Sequence, residues 1–467
     1  VSSEELCFLS ALELRKHYQA GTLSPVEVTT AILERMDRLN PTLKAFITPT
    51  PERAMDDARK SEAAWRDGTA GPLEGIPTSI KDLVATAGIR TTSGSLLTRD
   101  VVPTRNAPLV DRLYNAGIVM LGKTNTPEHG WKGDSGNLII GPTQNPWKHG
   151  RTSGGSSGGA AAAVTSGLGP LAQGGDGAGS IRIPAAFCGC FGHKPSFARI
   201  AYPTAGAMLT AHAGPITRTV RDAAMMLDVM AGLDTVDRYS YETEGSFLEG
   251  LEGGIAGMRV AWSPDLGYSP VEPEVAALTE AAAKRFAELG CEVVEATPDH
   301  PDSFPITDTL WIASQAAGHM HNLDEVRDLI DPGRLKLVER GRQLSGVDVA
   351  RAMADRQGLY HAFREFMNDF DLLLTPALPI TAFGAGEDYP ETINGQPATY
   401  LGWTGFSYPF NLTGQPAATV PVGFDSNGLP VGLQIIGRWQ DDLSVLKAAA
   451  AWEELQPWAD RRPSLES

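Results

Sequence analysis

The stretch from residue 154 to residue 195 constrains this chain more than any other. It opens with Gly154-Gly155-Ser156-Ser157-Gly158-Gly159 and runs on to Gly174-Gly175-Asp176-Gly177-Ala178-Gly179-Ser180-Ile181-Arg182-Ile183-Pro184. Glycine clusters let the backbone take positive φ and let other groups approach it closely. Ser156 and Ser180 each sit in such a cluster, 24 residues apart, so their hydroxyls can point at something other than their own backbone. Residues 160–164 predict a helix whose N-terminus faces the first cluster. Ser180 is expected to open a second helix, with Pro184 in its first turn. The first cluster lacks the Gly-Lys-Ser/Thr ending of a phosphate-binding loop, which argues against a nucleotide binder.

The flanking sequence alternates between helical and strand periodicity. Residues 1–70 read as helical, with a capping box at Ser24-Pro25-Val26-Glu27 and a short strand over 45–47. Residues 76–81 read as a strand, Asn106 as the cap of a helix over 107–116, and 118–121 as a buried strand. A βαβ unit covers 258–296: its helix carries Val275, Leu278, Ala282, Phe286 and Leu289 on one face and stops at Gly290. Residues 303–370 are helical, 372–374 form a strand, and 383–405 form a long loop. Residues 419–424 and 429–436 read as a hairpin turned through Asp425-Ser426-Asn427-Gly428, and 442–455 as a final helix. No repeat or low-complexity linker interrupts the 467 residues, which suggests one α/β body over 1–467. Its parts are an N-terminal helical region (1–70), a motif core (71–200), an α/β part (258–380) and a C-terminal hairpin and helix (406–467).

A net charge of −17 repels phosphate backbones, so nucleic acid and anionic lipid are not expected partners. Cys7, Cys188, Cys190 and Cys291 show no zinc-site spacing and read as reduced thiols of a cytoplasmic protein. The start, Val1-Ser2-Ser3-Glu4-Glu5, has no apolar core of a signal peptide. The most apolar run, 160–172, is broken by Ser166, Gly167, Gly169 and Pro170 and is too short to span a bilayer.

A serine hydroxyl is a weak nucleophile until a base lies within hydrogen-bond reach and N–H donors await the oxyanion. None of the nine histidines has a recognisable triad setting, although His129 and His193 lie near the motif region and stay open as bases. Lys81 is the other choice. It ends the apolar strand Ile76-Pro77-Thr78-Ser79-Ile80, and burial there would disfavour its ammonium form. The plain alternative is a strand-end lysine reaching water.

Taken together, Gly75-Ile76-Pro77 through Lys81-Asp82, Gly122-Lys123-Thr124-Asn125, Asn145-Pro146-Trp147, the two serine clusters, Phe410-Asn411-Leu412-Thr413-Gly414-Gln415-Pro416-Ala417 and Gly428-Leu429-Pro430-Val431-Gly432 resemble the amidase signature family of serine hydrolases. The resemblance covers nearly the whole chain. It implies a three-layer α/β/α domain on a twisted, mixed, largely parallel central sheet. It implies Ser180 as nucleophile, Ser156 as the bridging serine behind a cis Gly155–Ser156 bond, and Lys81 as base. The N–H groups of Gly177, Ala178, Gly179 and Ser180 would form the oxyanion hole, braced by Ser157, Asp176 and Arg182. Arg182 reads as a partner of Asp176, with a substrate anion anchor as the alternative. Gly130 and Trp131 map to a segment that lines the acyl pocket in relatives, though Trp131 reads equally well as core; Trp403, Phe406 and Tyr408 are further candidates. The implied substrate is a small amide, anilide or carbamate, with no metal or cofactor, and homodimers are common among relatives.

Two residues depart from the family pattern. Ala178 stands where many members have glycine, and its methyl group is expected beside the oxyanion hole. Ile183 stands where the amidotransferase subunits carry glutamine. Three readings stay open: a standalone C–N hydrolase, an ammonia-passing amidotransferase subunit, and a catalytically silent binding protein. Substrate choice is expected to lie in segments 196–215, 303–345 and 380–405.

Overall fold

A helix followed by a tight turn returns a strand parallel to its predecessor, and a short hairpin returns it antiparallel; this chain uses both. The computed structural model describes residues 2–202 and 209–465. Residues 203–208, inside the segment 196–215 expected to bear on substrate choice, lie outside the described residues. The central sheet has eleven strands: β1 (Phe46–Pro49), β2 (Pro77–Lys81), β3 (Val119–Thr124), β4 (Leu171–Asp176), β5 (Phe191–Lys194), β6 (His212–Thr217), β7 (Arg259–Trp262), β8 (Glu292–Glu295), β9 (Leu372–Pro376), β10 (Ala417–Phe424) and β11 (Pro430–Gly437). Their spatial order is β1-β3-β2-β4-β6-β5-β10-β11-β9-β7-β8.

The expected mixed sheet is observed, with its parallel pairs in two blocks. β3-β2-β4 is joined through the helix Pro108–Asn115, and β9-β7-β8 contains the expected βαβ unit with helix Pro273–Arg285. From β4 across β6, β5, β10 and β11 to β9, every pair is antiparallel. Parallel pairing is thus a feature of the flanks. The C-terminal hairpin sets this pattern, because its short turn forces β10 and β11 to be antiparallel and the pair is inserted between β5 and β9. β2, β3, β4, β6, β9 and β11 are buried along their whole lengths. Both faces of the sheet are therefore covered, as a three-layer domain requires.

Most local expectations hold. Ser24 and Glu27 form the capping box of helix Pro25–Leu43, Gly290 takes the left-handed conformation after the βαβ helix, and the last helix is Asp442–Leu455. Asn106 is a correction. The helix after it has Ala107 at its N-cap with no side-chain cap. Asn106 instead accepts from the Ala87 N–H at 2.7 Å and donates to Asp111 at 2.7 Å, tying the preceding loop to the helix. The helix beyond Ser180 begins at Arg182, not at the serine. All four cysteines are buried free thiols. Among the described residues no helix is long and apolar enough to cross a membrane.

The first glycine cluster acts through close approach. It leads into helix Gly158–Thr165, whose N-terminus presses on the end of β3. A Cβ on Gly159 would lie 2.4 Å from the Asn125 nitrogen and 2.5 Å from the Ala45 oxygen; one on Gly155 would lie 2.7 Å from the Asp134 backbone. Gly159→Ala must therefore move backbone, and we expect it to destabilise the protein by about 1–3 kcal/mol. Gly346→Ala, at a helix start with nothing within 4 Å, should leave stability unchanged or raise it slightly. Thermal unfolding of the two variants checks the contrast.

Candidate active site

The end of strand β2 carries Lys81 into the interior, where it is 1 % exposed. Its Nζ lies 2.7 Å from Ser156 Oγ, 2.8 Å from Ser157 Oγ and 3.3 Å from the Gly175 carbonyl oxygen. The side chain does not reach water. Burial pushes its pKa down to about 7, against the opposing charge of Asp176. The Gly155–Ser156 peptide bond is cis. Ser157 donates its hydroxyl hydrogen to the Gly175 carbonyl (3.1 Å) and accepts from the Gly175 N–H (3.2 Å), so it is fixed against β4. The Ser157 N–H donates to the Ser180 carbonyl at 3.2 Å, which joins the two serine clusters.

Ser180 lies in the turn between β4 and helix Arg182–Cys188. The Asp176 carboxylate holds that turn by accepting the N–H groups of Gly179 (2.7 Å) and Ile181 (3.1 Å). Arg182, fully buried, engages its five N–H donors: two reach Asp176 at 3.0 Å, one Asn411 at 2.6 Å, one Gln434 at 2.7 Å and one the Ser407 carbonyl at 2.9 Å. Burial alone would raise the Asp176 carboxyl, but the charge and bonds of Arg182, with Lys194 and Asn411, hold it well below the usual carboxylate range. Arg182 pairs with Asp176 as expected, and one site expectation, that for Gly179, changes. Arg182 has no donor left for a substrate anion. Gly179 directs its N–H at Asp176 and away from any oxyanion; the N–H groups of Gly177, Ala178 and Ser180 have no acceptor among the described residues.

Lys81, Ser156 and Ser180 line one cavity of about 420 Å³, with Leu83, Gly130 and Trp311 among its walls. No hydrogen bond joins the Ser156 and Ser180 hydroxyls among the described residues. Gly130 has a φ of +74° beside Ser156, and a Cβ on it would stand 3.0 Å from Ser156 Oγ. Trp131 is a correction: it is buried in the core, stacked on Tyr400 at 5.6 Å, with its carbonyl accepting the Tyr400 hydroxyl. Trp403, Phe406 and Tyr408 are likewise core residues, Trp403 stacking on Phe187 at 6.1 Å. The cavity tryptophan is Trp311, on helix Phe304–Ala317. That helix lies in segment 303–345, expected to bear on substrate choice, but nothing in the sequence singles out Trp311. Ala178 keeps a negative φ and packs its methyl group into the core cluster of Trp131 and Trp311, so it does not narrow the cavity. His129 lines the cavity; His193 is buried against Asp442 at 3.2 Å and does not.

A family model for amidases matches residues 27–446. The chain belongs to the amidase signature family. It is a hydrolase of carboxylic amide C–N bonds. The acylamidase of Rhodococcus erythropolis is 42 % identical over 472 residues, spanning 99 % of both chains. The structure of a bacterial aryl acylamidase of the amidase signature family matches with a TM-score of 0.92 and 30 % identity over 97 % of each chain. A glutamyl-tRNA(Gln) amidotransferase chain of Moorella thermoacetica is 36 % identical over 99 % of both chains. The greater likeness to an acylamidase, with Ile183 packed into an apolar cluster, makes the amidotransferase reading the less favoured one for this amidase.

Asp176→Asn leaves a buried guanidinium without its countercharge, and we expect a loss of about 3–5 kcal/mol, measured by denaturant unfolding. The folded carboxyl is held below its ordinary range. Its contribution is therefore full at neutral pH and is lost as pH falls through the acidic range, so the variant's stability should change less on acidification than the parent's.

Proposed function

We propose that this amidase cleaves amides, anilides or carbamates through an acyl-enzyme on Ser180, with Ser156 as proton relay and Lys81 as general base. The observation that carries this reading is the set of partners around Lys81 Nζ. The Gly175 carbonyl can only accept, and Ser157 Oγ has already given its hydrogen to that carbonyl. A neutral amine has two N–H donors and one lone pair. With both donors turned to Gly175 and Ser157, the lone pair faces Ser156 Oγ at 2.7 Å. Lys81 can then take the Ser156 proton while Ser156 takes that of Ser180, and the Ser180 oxygen attacks the carbonyl carbon. The free N–H groups of Gly177, Ala178 and Ser180 are the candidate donors for the oxyanion. The proton returns through Ser156 to the leaving amine, and water, activated by the same relay, hydrolyses the ester on Ser180. Ser157, Asp176 and Arg182 support the arrangement.

Ser180→Ala and Lys81→Ala should each lower kcat by at least about 1000-fold with the fold intact. A serine-directed fluorophosphonate should add its mass to the peptide containing Ser180; activity retained in Ser180→Ala would sink the proposal. Turnover of a simple anilide by the purified chain alone, with no ammonia acceptor or second protein, separates hydrolase from amidotransferase. The pH profile tests the base. Lys81 must be deprotonated to accept, and burial brings its pKa to about 7. kcat/KM should therefore rise with pH through a midpoint near 7 and level off about one unit above. A rise that begins only near the pKa of an ordinary lysine would exclude a desolvated amine as the base.

A further inference from the structure

Gln315 stands one helical turn beyond Trp311 on helix Phe304–Ala317, and both line the cavity that holds Ser156 and Ser180. Four helical residues advance about 6 Å along the axis. Gln315 thus meets a part of the cavity set apart from Gly177, against which the Trp311 ring packs. Gln315 is 6 % exposed, and its Oε1 accepts from Arg334 Nε at 2.8 Å. A guanidinium can only donate, so this bond decides which end of the amide is oxygen and leaves the Nε2 group for the other side. That NH₂ has no hydrogen-bond partner among the described residues. Arg334 is held in turn by Glu128 at 3.2 Å, and the same carboxylate accepts the Ser95 hydroxyl and the Asp331 N–H, each at 2.7 Å.

The donor that faces the cavity is therefore rigid and uncharged. The cation behind it is neutralised by a buried carboxylate. Apart from Lys81 and His129, no basic side chain lines the described cavity, and Asp176 is committed to Arg182. A carboxylate entering beside Gln315 would lose water and find no unpaired cation there, because the Arg334 guanidinium is taken by Glu128 and the Lys81 amine is turned to Ser156, Ser157 and Gly175. A neutral oxygen would pair with a donor that no described side chain meets. We propose that Gln315 is a specificity-determining residue that selects amide substrates bearing a second, uncharged hydrogen-bond acceptor, such as a ketone, ester or ether oxygen, set away from the scissile carbonyl. This rests on the Ser180 site described under the proposed function. Discrimination follows because a hydrocarbon covering the unpaired NH₂ carries the full desolvation penalty of that group.

The test uses two matched substrate series in which methylene groups insulate the scissile amide from the added oxygen. In the acyl series the anilide of 5-oxohexanoic acid is compared with that of hexanoic acid. In the amine series N-(4-oxopentyl)acetamide is compared with N-pentylacetamide. The ratio of kcat/KM, oxo over alkyl, is measured for the parent, Gln315→Glu and Gln315→Met. Gln315→Glu keeps an oxygen for Arg334 and turns the cavity-facing NH₂ into an acceptor, so it carries the test if Gln315→Met folds poorly. The ratio should fall about 3- to 10-fold in Gln315→Glu in at least one series, and the series that responds tells whether the acceptor rides on the acyl or the amine side. A ratio unchanged in both series overturns the proposal. Ser180→Ala on hexananilide reports separately on the underlying site: turnover retained there removes the acyl-enzyme, whatever the ratios do.

Discussion

The ion pair between Asp176 and Arg182 organises the site. A fully buried pair brings little net stability unless its remaining lone pairs and protons are met, and here they are met by residues far apart in the chain. Arg182 reaches Asn411 and Gln434, 229 and 252 residues on, while Asp176 holds the N–H groups of Gly179 and Ile181. The turn bearing Ser180 is therefore fixed from behind by the C-terminal hairpin and the short helix before it. The same bonds matter for charge. Asp176 is the negative group near Lys81, and its field favours the ammonium form. Because its oxygens are turned to Arg182, Asn411 and the backbone, none hydrogen-bonds the amine, and burial is left to dominate.

Lysine then differs from histidine in what the fold must supply. An imidazole is near its working range in water, whereas an amine must be dried to become a base near neutral pH. Drying an amine without offering it a carboxylate requires neutral hydrogen-bond partners at close range, and two hydroxyls and one carbonyl provide them. The glycine clusters follow from the same need. Backbone must pack directly on backbone to bring those partners around one nitrogen, and a Cβ at Gly155 or Gly159 would clash with it.

The sequence makes legible what is local. Helix Pro25–Leu43, the βαβ unit and helix Asp442–Leu455 follow from apolar spacing and caps. Lys81, Ser156 and Ser180 stand out through their glycine and strand settings. What it hides is long-range. Nothing in 417–437 tells that the hairpin enters the sheet between β5 and β9. Asn411 belongs to a motif legible only by family resemblance, and its bond to Arg182 is invisible without the fold. Trp131 and Trp311 show the same limit. Family resemblance suggests the first as a cavity wall, yet the chain turns its ring onto Tyr400, and the wall comes from a residue 180 positions later. Gly179 fails for a subtler reason, since a capping carboxylate three residues back captures its N–H.

Reactive groups and cavity wall therefore have different origins, and burial explains why. The buried amine and its hydroxyl partners must be dry, so they are assembled from strand ends and helix starts at the middle of a sheet covered on both faces. The wall must meet substrate on one side only, so a helix packed at the margin suffices. Gly177 is where the two meet: a Cβ there would stand 3.1 Å from the Trp311 ring. The bare glycine lets the indole close over the segment whose N–H groups have no acceptor among the described residues. Helix Phe304–Ala317 can then vary what it presents farther along, at Gln315, without disturbing the amine and hydroxyls behind that indole.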